Sequence, residues 1–122
     1  MDISDLKLTD EDGGSECRIK HPETGAHVGS IWLLSINSDE WEASRVELAK
    51  RSGDNLDSRE ISATGMAAVS VRTDMTWDDE PIATRAQFER LYRRYRFMRQ
   101  QVDAFLVNEA NFLRSASDDS SP

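Results

Sequence analysis

The sequence predicts an α+β fold, mainly α, with an N-terminal β-hairpin followed by about three helices. An apolar stripe at Phe88, Leu91, Tyr95, Met98, Val102, Phe105 and Phe112 advances in steps of three and four residues, with one polar interruption at Glu109. That is helical periodicity sustained over about four heptads. Two strand-like runs, Glu16 to Lys20 and Val28 to Ile36, flank His21-Pro22-Glu23-Thr24-Gly25-Ala26-His27, whose proline and glycine supply turn geometry. Between these regions, Asn37-Ser38 before Asp39 and Glu40 is a helix-start signal, and Gly53 is a stop.

Taken in order, residues 1–15 set Asp2, Asp5, Asp10, Glu11 and Asp12 against a single Lys7 and end in Gly13-Gly14. This predicts a flexible acidic N-terminal segment, in which Ile3, Leu6 and Leu8 allow a short piece to dock. The second hairpin arm is the most apolar run of the chain and is expected to bury much of one or both faces. Helix one is predicted from about Asp39 to Ser52; its thin stripe of Trp41, Val46, Leu48 and Ala49 suits the surface of the hairpin. Asn55 to Asp57 can cap a second helix reaching about Thr73, with Leu56, Ile61, Ala68 and Val71 as candidate core positions. Gly65 weakens that helix, and Val69, Val71 and Thr73 alternate as a strand does, so both states stay open for residues 65–73. Met75 to Pro81 reads as an acidic, turn-rich connector anchored by Trp77. Thr84 with Gln87 forms the T-x-x-Q capping box that opens the long stripe. Residues 16–114 are thus predicted to form one compact domain, and the serine- and aspartate-rich residues 115–122 a disordered tail.

A chain of 122 residues suits one core, and 38% hydrophobic against 31% charged residues makes that core thin relative to its surface. The net charge of −8 opposes general affinity for nucleic acid or anionic membrane. It conceals an asymmetry, because residues 84–114 sum to +4 and the remainder to −12. Cys17 is the only cysteine, which rules out an intrachain disulfide or a cysteine-based zinc cluster and suits a reducing, cytoplasmic setting. Met1-Asp2-Ile3-Ser4-Asp5 has neither the basic nor the apolar region of a secretory signal, and no apolar run approaches a membrane span. A soluble protein is expected.

The residues of catalysis do not assemble into a recognisable motif. Gly13-Gly14 precedes no P-loop lysine, and there is no nucleophile elbow, zinc-protease helix or EF-hand loop. No enzyme activity, cofactor or metal is therefore expected. His21 and His27 share one turn, where they suit solvent-facing hairpin positions better than a metal pair. Asp39-Glu40 and Asp78-Asp79-Glu80 offer oxygen ligands, but the first pair has a helix-start role and the second reads as a solvated loop.

Arg85, Arg90, Arg93, Arg94, Arg96 and Arg99 crowd the first half of the stripe and project mainly away from it. Three readings are open. The arginines can form a solvated face paired with acidic parts of the chain, where exposed pairs contribute only ~0–1 kcal/mol each. They can form a nucleic-acid site in which Tyr92, Tyr95 and Phe97 stack on bases, although most of the aromatics fall on the apolar side. They can also form a protein-docking face, since arginine beside exposed aromatics is typical of binding hot spots. A stripe of four heptads is long for so thin a domain, so part of it is expected to wait for a partner or a second copy of the chain.

The run Ala86-Gln87-Phe88-Glu89-Arg90-Leu91-Tyr92-Arg93-Arg94-Tyr95-Arg96-Phe97-Met98-Arg99-Gln100-Gln101-Val102-Asp103-Ala104-Phe105, followed by Asn111-Phe112-Leu113, resembles the tail assembly chaperones of long-tailed, siphophage-type bacteriophages. The family pattern is a Leu-Tyr pair, a Tyr-Pro-Trp-Leu turn, Gln-Val-Asp, an apolar pair and a closing Asn-Phe. Upstream, Pro22-Glu23-Thr24-Gly25, Ser38-Asp39-Glu40 and Trp77-Asp78 stand where that family has a Thr-Gly loop, a helix start and a tryptophan. The chain departs from the pattern with Arg96 in place of the proline and Phe97 in place of the tryptophan. Residues 84–113 therefore read either as one continuous helix or as two helices meeting near Tyr95 to Phe97.

The resemblance implies a non-catalytic protein of the infected host cytoplasm, absent from the mature virion. Such a protein binds the tape-measure protein, promotes assembly of the tail tube around it, and in many cases also exists in a longer frameshifted form. Tape-measure protein is then the expected partner, with tail-tube protein and a second copy of the chain as further candidates. Tyr92, Arg93, Arg96, Phe97, Phe105 and Phe112 are the expected partner-binding residues. The rival expectations are a small nucleic-acid-associated phage or regulatory protein acting through the face from Arg90 to Arg99, and a structural tail component retained in the particle.

Overall fold

Alternation of period two decides the sheet. In the strand β2, Ser15–Lys20, Cys17 and Ile19 are buried while Glu16, Arg18 and Lys20 face out. Its partner β3, His27–Leu33, pairs antiparallel with Cys17 opposite Ile31 and Ser15 opposite Leu33, and a bulge lies between Ile19 and Lys20. The connecting turn is closed by His21 N–H donating to the Ala26 carbonyl at 2.8 Å, with Gly25 at φ 73°. The sequence-predicted hairpin is therefore present. A third strand, Ser70–Thr73, pairs antiparallel on the other side of β3 with Thr73 opposite Ile31 and Arg72 opposite Trp32.

The computed structural model describes residues 2–3, 6–50 and 58–115. Within them the chain is α+β, as its sequence predicts. The strand β1, Leu6–Leu8, comes first and is followed by a 3-10 turn over Thr9–Asp12. After the hairpin come α1, Asp39–Lys50, and α2, Ser58–Val69, which runs directly into Ser70–Thr73, labelled β4. A two-stranded ribbon of β5, Thr76–Trp77, and β6, Glu80–Pro81, leads to α3, Arg85–Arg94, and α4, Arg96–Val107. A 3-10 turn over Glu109–Phe112 and β7, Leu113–Ser115, end the described chain. The expected end of helix one at Ser52, the Asn55 to Asp57 cap with Leu56, and residues 116–122 of the expected tail lie outside the described residues.

The sheet turns Cys17, Ile19, Ile31 and Leu33 towards α2, α3 and α4. Helix α2 contributes Ala63, Met66, Ala67 and Val69, small or unbranched groups that let its neighbours come close. A Cβ at Gly65 would meet the Trp41 ring at 2.9 Å, so glycine at this point lets α1 lie against α2. This corrects the expectation that helix one covers the hairpin. Ile61 and Val71, predicted as core, are instead 47% and 42% exposed, Val71 lying in the strand and not in α2. The ambiguous stretch 65–73 divides at Val69, with helix before it and strand after.

The acidic N-terminal segment is held more firmly than its composition suggests. Leu6 to Leu8 pairs antiparallel with Ser115 to Leu113, so β1 and β7 join the two ends of the described chain. Asp10 accepts hydrogen bonds from the Ser35 N–H at 2.6 Å and from its hydroxyl at 2.7 Å. Ser15 Oγ donates to the Asn111 carbonyl at 2.7 Å. A carboxylate accepting two donors is a charge-assisted anchor, and the sequence gives no local sign of it because both donors lie beyond the hairpin.

Cys17 lies in this core at 3% exposure, and burial pushes its thiol up from 9.0 to about 11. The raised pKa means that the folded state holds the proton more tightly. The stabilising contribution is complete below pH 9 and is lost as pH rises from 9 towards 11. Urea unfolding of wild type should weaken across that window, and Cys17→Ala should flatten the early part of the decline. Native Cys17 should also react slowly with aromatic disulfide reagents until the chain is denatured.

Candidate docking surface

Three half-buried aromatic residues, Trp77, Tyr95 and Phe97, gather where α3 meets α4. Helix α3 begins with the predicted capping box: Thr84 accepts from the Gln87 N–H, and Gln87 Oε1 accepts from the Thr84 N–H at 2.8 Å. Phe88, Leu91 and Tyr92 bury one side of α3, and Met98, Val102 and Leu106 bury one side of α4. Tyr95, at φ −118° and ψ 101°, is extended, so the two helices are separate and the single-helix alternative does not apply.

No proline makes this break. Arg99 folds back, and its Nη1 donates to the Tyr92 carbonyl at 2.6 Å and the Arg93 carbonyl at 3.2 Å. These are among the carbonyls that a helix C-terminus leaves unpaired, and a cation there also suits the helix dipole. At the far side of α4, Gln101 clasps the Lys20 backbone, accepting from its N–H and donating to its carbonyl, both at 2.8 Å. Arg99→Ala should cost about 1.5–3 kcal/mol, the range for a hydrogen bond to a charged group. Arg99→Lys should recover only part of that in a thermal melt, because the shorter side chain must bring its ammonium to the point from which Nη1 reaches both carbonyls.

The elbow brings together residues distant in sequence. Trp77 lies 5.6 Å from Tyr95 between ring centroids, and Tyr95 lies 6.0 Å from Phe97 in an edge arrangement. The Arg90 guanidinium sits 4.5 Å over the Trp77 ring, and that of Arg94 lies 5.5 Å from Tyr95. Beside this group opens a trough of about 370 Å³ lined chiefly by Val28, Met75, Trp77, Ile82, Tyr95 and Met98. A smaller hollow of about 230 Å³ on the other side of Trp77 is bordered by Asp78, Glu80, Gln87 and Arg90. Val28 is 42% exposed, and Trp77, Tyr95 and Phe97 are half-buried, so the apolar wall reaches solvent.

The predicted partner-binding residues do not share one surface. Phe97 belongs to the elbow, and Arg96 is exposed at the first position of α4. Arg93 is exposed and lies 3.8 Å from Glu89. Phe105 is half-buried further along α4, edge-on to Phe112 at 5.3 Å. Tyr92 and Phe112 are core residues, 0% and 1% exposed, and so are not presented to a partner. The Tyr92 hydroxyl lies 2.7 Å from Ser70 Oγ, which donates to the Met66 carbonyl, so Tyr92 is the donor of that pair.

Most of the arginine cluster is engaged within the chain. Arg85 reaches the exposed Glu47 at 2.7 Å, a pair that contributes ~0–1 kcal/mol, and the half-buried Glu89 at 3.8 Å. Arg90 and Arg94 lie on rings, and Arg99 on carbonyls. Base stacking by Tyr92 would require it to leave the core. His21 is also used locally, its Nδ1 accepting from the Glu23 N–H at 3.1 Å. Among the described residues no group of three or more His, Cys, Asp or Glu side chains could hold a metal ion, and no helix is long and apolar enough to cross a membrane.

Sequence reasoning missed Val28 and Met75 as parts of this surface. The signal available was indirect: Gly29 leaves the space that Met75 occupies, and a Cβ there would collide with the Met75 side chain. No protein-family model, curated protein or solved structure matches this chain.

Proposed function

We propose that this protein is a non-catalytic tail assembly chaperone of a long-tailed bacteriophage, which binds the tape-measure protein and promotes tail-tube assembly. In this reading it works in the host cytoplasm during infection and is left out of the finished virion. The supporting observation is the elbow at Tyr95. The segment that resembles the chaperone family bends where that family's pattern has its turn, and it sets Tyr95 against both Trp77 and Phe97, with Tyr95 and Trp77 lining an open trough. Apolar side chains such as Val28, Met75 and Met98 in its walls suit helix-in-groove recognition of a long helical client, because the client's apolar ridge would otherwise be exposed to water.

Co-expression with the tape-measure protein of the same phage tests the proposal. The client should become soluble and co-purify with the chain. Val28→Lys and Phe97→Ala should lower the co-purified yield severalfold, while the melting temperature of the free chain changes little. A client that stays insoluble and uncaptured in the presence of the wild-type chain would refute the reading.

A further inference from the structure

The bend between α3 and α4 is made by one residue. Tyr95 alone is extended, and helical bonds close on either side of it: its N–H donates to the Leu91 carbonyl at 3.1 Å, and its carbonyl accepts from the Arg99 N–H at 3.3 Å. The sequence places no breaker here, since neither glycine nor proline occurs from Ala83 to Leu113. The apolar stripe also passes the bend without a change of step, as it would in one helix. What opposes a straight helix locally is the Arg99 guanidinium, which takes the Tyr92 and Arg93 carbonyls that the Arg96 and Phe97 N–H groups would otherwise reach. Those N–H groups open α4 with no side-chain cap among the described residues. Straightening therefore exchanges the arginine's bonds for main-chain ones, and the local difference between the two forms is small.

The cost away from the bend is larger. A straight helix carries α4 off the body, and Met98, Val102 and Leu106 leave the core with it. Phe112 follows, together with the Gln101 clasp on Lys20 and the Ser15 bond to Asn111. The surface that fits this whole set is the one it came from, on α2, α3 and β2 with β1 beside them. A second copy of the chain whose own α4 is displaced presents that surface again. We infer that the protein forms an exchanged dimer, in which Tyr95 turns helical, α3 and α4 run on as one helix, and residues 96–115 of each copy complete the core of the other. Apart from the Arg99 bonds, the contacts of this segment re-form between copies, so the bend and the entropy of association set the balance between monomer and dimer. Met98, which lines the trough beside Tyr95, then comes from the second copy. The inference is independent of the client that the trough takes.

Two substitutions move this balance in opposite directions. Arg96→Pro fits the bent form, because position 96 is the first of α4 and the residue before a proline favours the extended state that Tyr95 already has. In a straight helix the same ring would clash with the Tyr92 carbonyl and remove a main-chain bond. Arg99→Ala frees the two carbonyls and should raise the dimerisation constant about tenfold. Full chains refolded at millimolar concentration and separated by gel filtration with light scattering should give a minor dimer for wild type, more for Arg99→Ala and monomer alone for Arg96→Pro. When the Arg99→Ala dimer is refolded from mixed isotope-labelled and unlabelled chains, isotope-filtered NMR should place the contacts of Val102 and Leu106 with α2 and β2 between chains. This second readout decides the matter by itself if Arg96→Pro does not fold. Monomer alone for Arg99→Ala, a dimer whose α4 contacts stay within one chain, or an undiminished dimer in a folded Arg96→Pro chain would overturn the inference.

Discussion

Replacing Gly14 with alanine should cost about 3–5 kcal/mol, a large share of the ~5–15 kcal/mol that holds a typical domain together. Gly14 has φ 93°, and a Cβ added there would lie 2.5 Å from the Leu33 carbonyl oxygen. The obstacle is backbone in the buried end of β3, so no side-chain rotation relieves it. Gly13 is the internal control: its φ is 88°, but nothing lies within 4 Å of an added Cβ. Gly13→Ala should therefore cost only the conformational part, about 1–2 kcal/mol. Urea midpoints of the two variants separate collision from backbone strain. Equal shifts would show that the close approach of Gly14 to β3 does not hold the N-terminal segment.

Tyr92→Ala should cost about 3–5 kcal/mol, the range for deleting a buried aromatic side chain. Tyr92 is fully buried, its ring stacks near Phe88 at 6.4 Å, and its hydroxyl donates to Ser70. Tyr92→Phe should cost about 1 kcal/mol, since Ser70 keeps its bond to Met66. Burial raises the Tyr92 phenol above its ordinary 10.0, so this residue also withdraws stability as pH climbs past that value. The phenylalanine variant should capture client as well as wild type does. A loss of binding with stability intact would return Tyr92 to the interface, where its sequence position had suggested it.

The contrast between Tyr92 and Phe97 shows what the sequence made legible. The stripe from Phe88 to Phe112 and the alternation of Cys17 with Ile19 are periodic, and periodic burial follows from the geometry of one element facing one neighbour. Tyr92, four residues after Phe88, shares that face of α3 and reaches Ser70 of β4, so the i, i+4 spacing placed it with the core although it was grouped with the partner-binding aromatics. Helix α2 was expected, but its buried face was misassigned for the opposite reason. Its close packing uses Ala63, Gly65 and Ala67, which leave little hydrophobic pattern to detect.

Long-range hydrogen bonds explain the other differences. Asp10 reads as one more charge in an acidic segment until Ser35 supplies its two donors. The pairing of Leu6–Leu8 with Leu113–Ser115 depends on both ends of the chain meeting. At the elbow, Arg99 does by hydrogen bonding what proline does by sterics, and no local rule distinguishes that arginine from its five neighbours. The candidate docking surface was half legible. Phe97 and the arginines were picked out, but Trp77 reached Tyr95 only through a turn of two left-handed aspartates.

The central claim is that the elbow and its trough form the client-binding surface, and amide hydrogen exchange on the chain with and without bound tape-measure protein tests it most directly. Protection gained on client binding should concentrate in residues 74–82 and 91–99, with little change on the outer face of β2 at Glu16, Arg18 and Lys20. A footprint centred on that outer sheet face, with the elbow unchanged, would contradict the account.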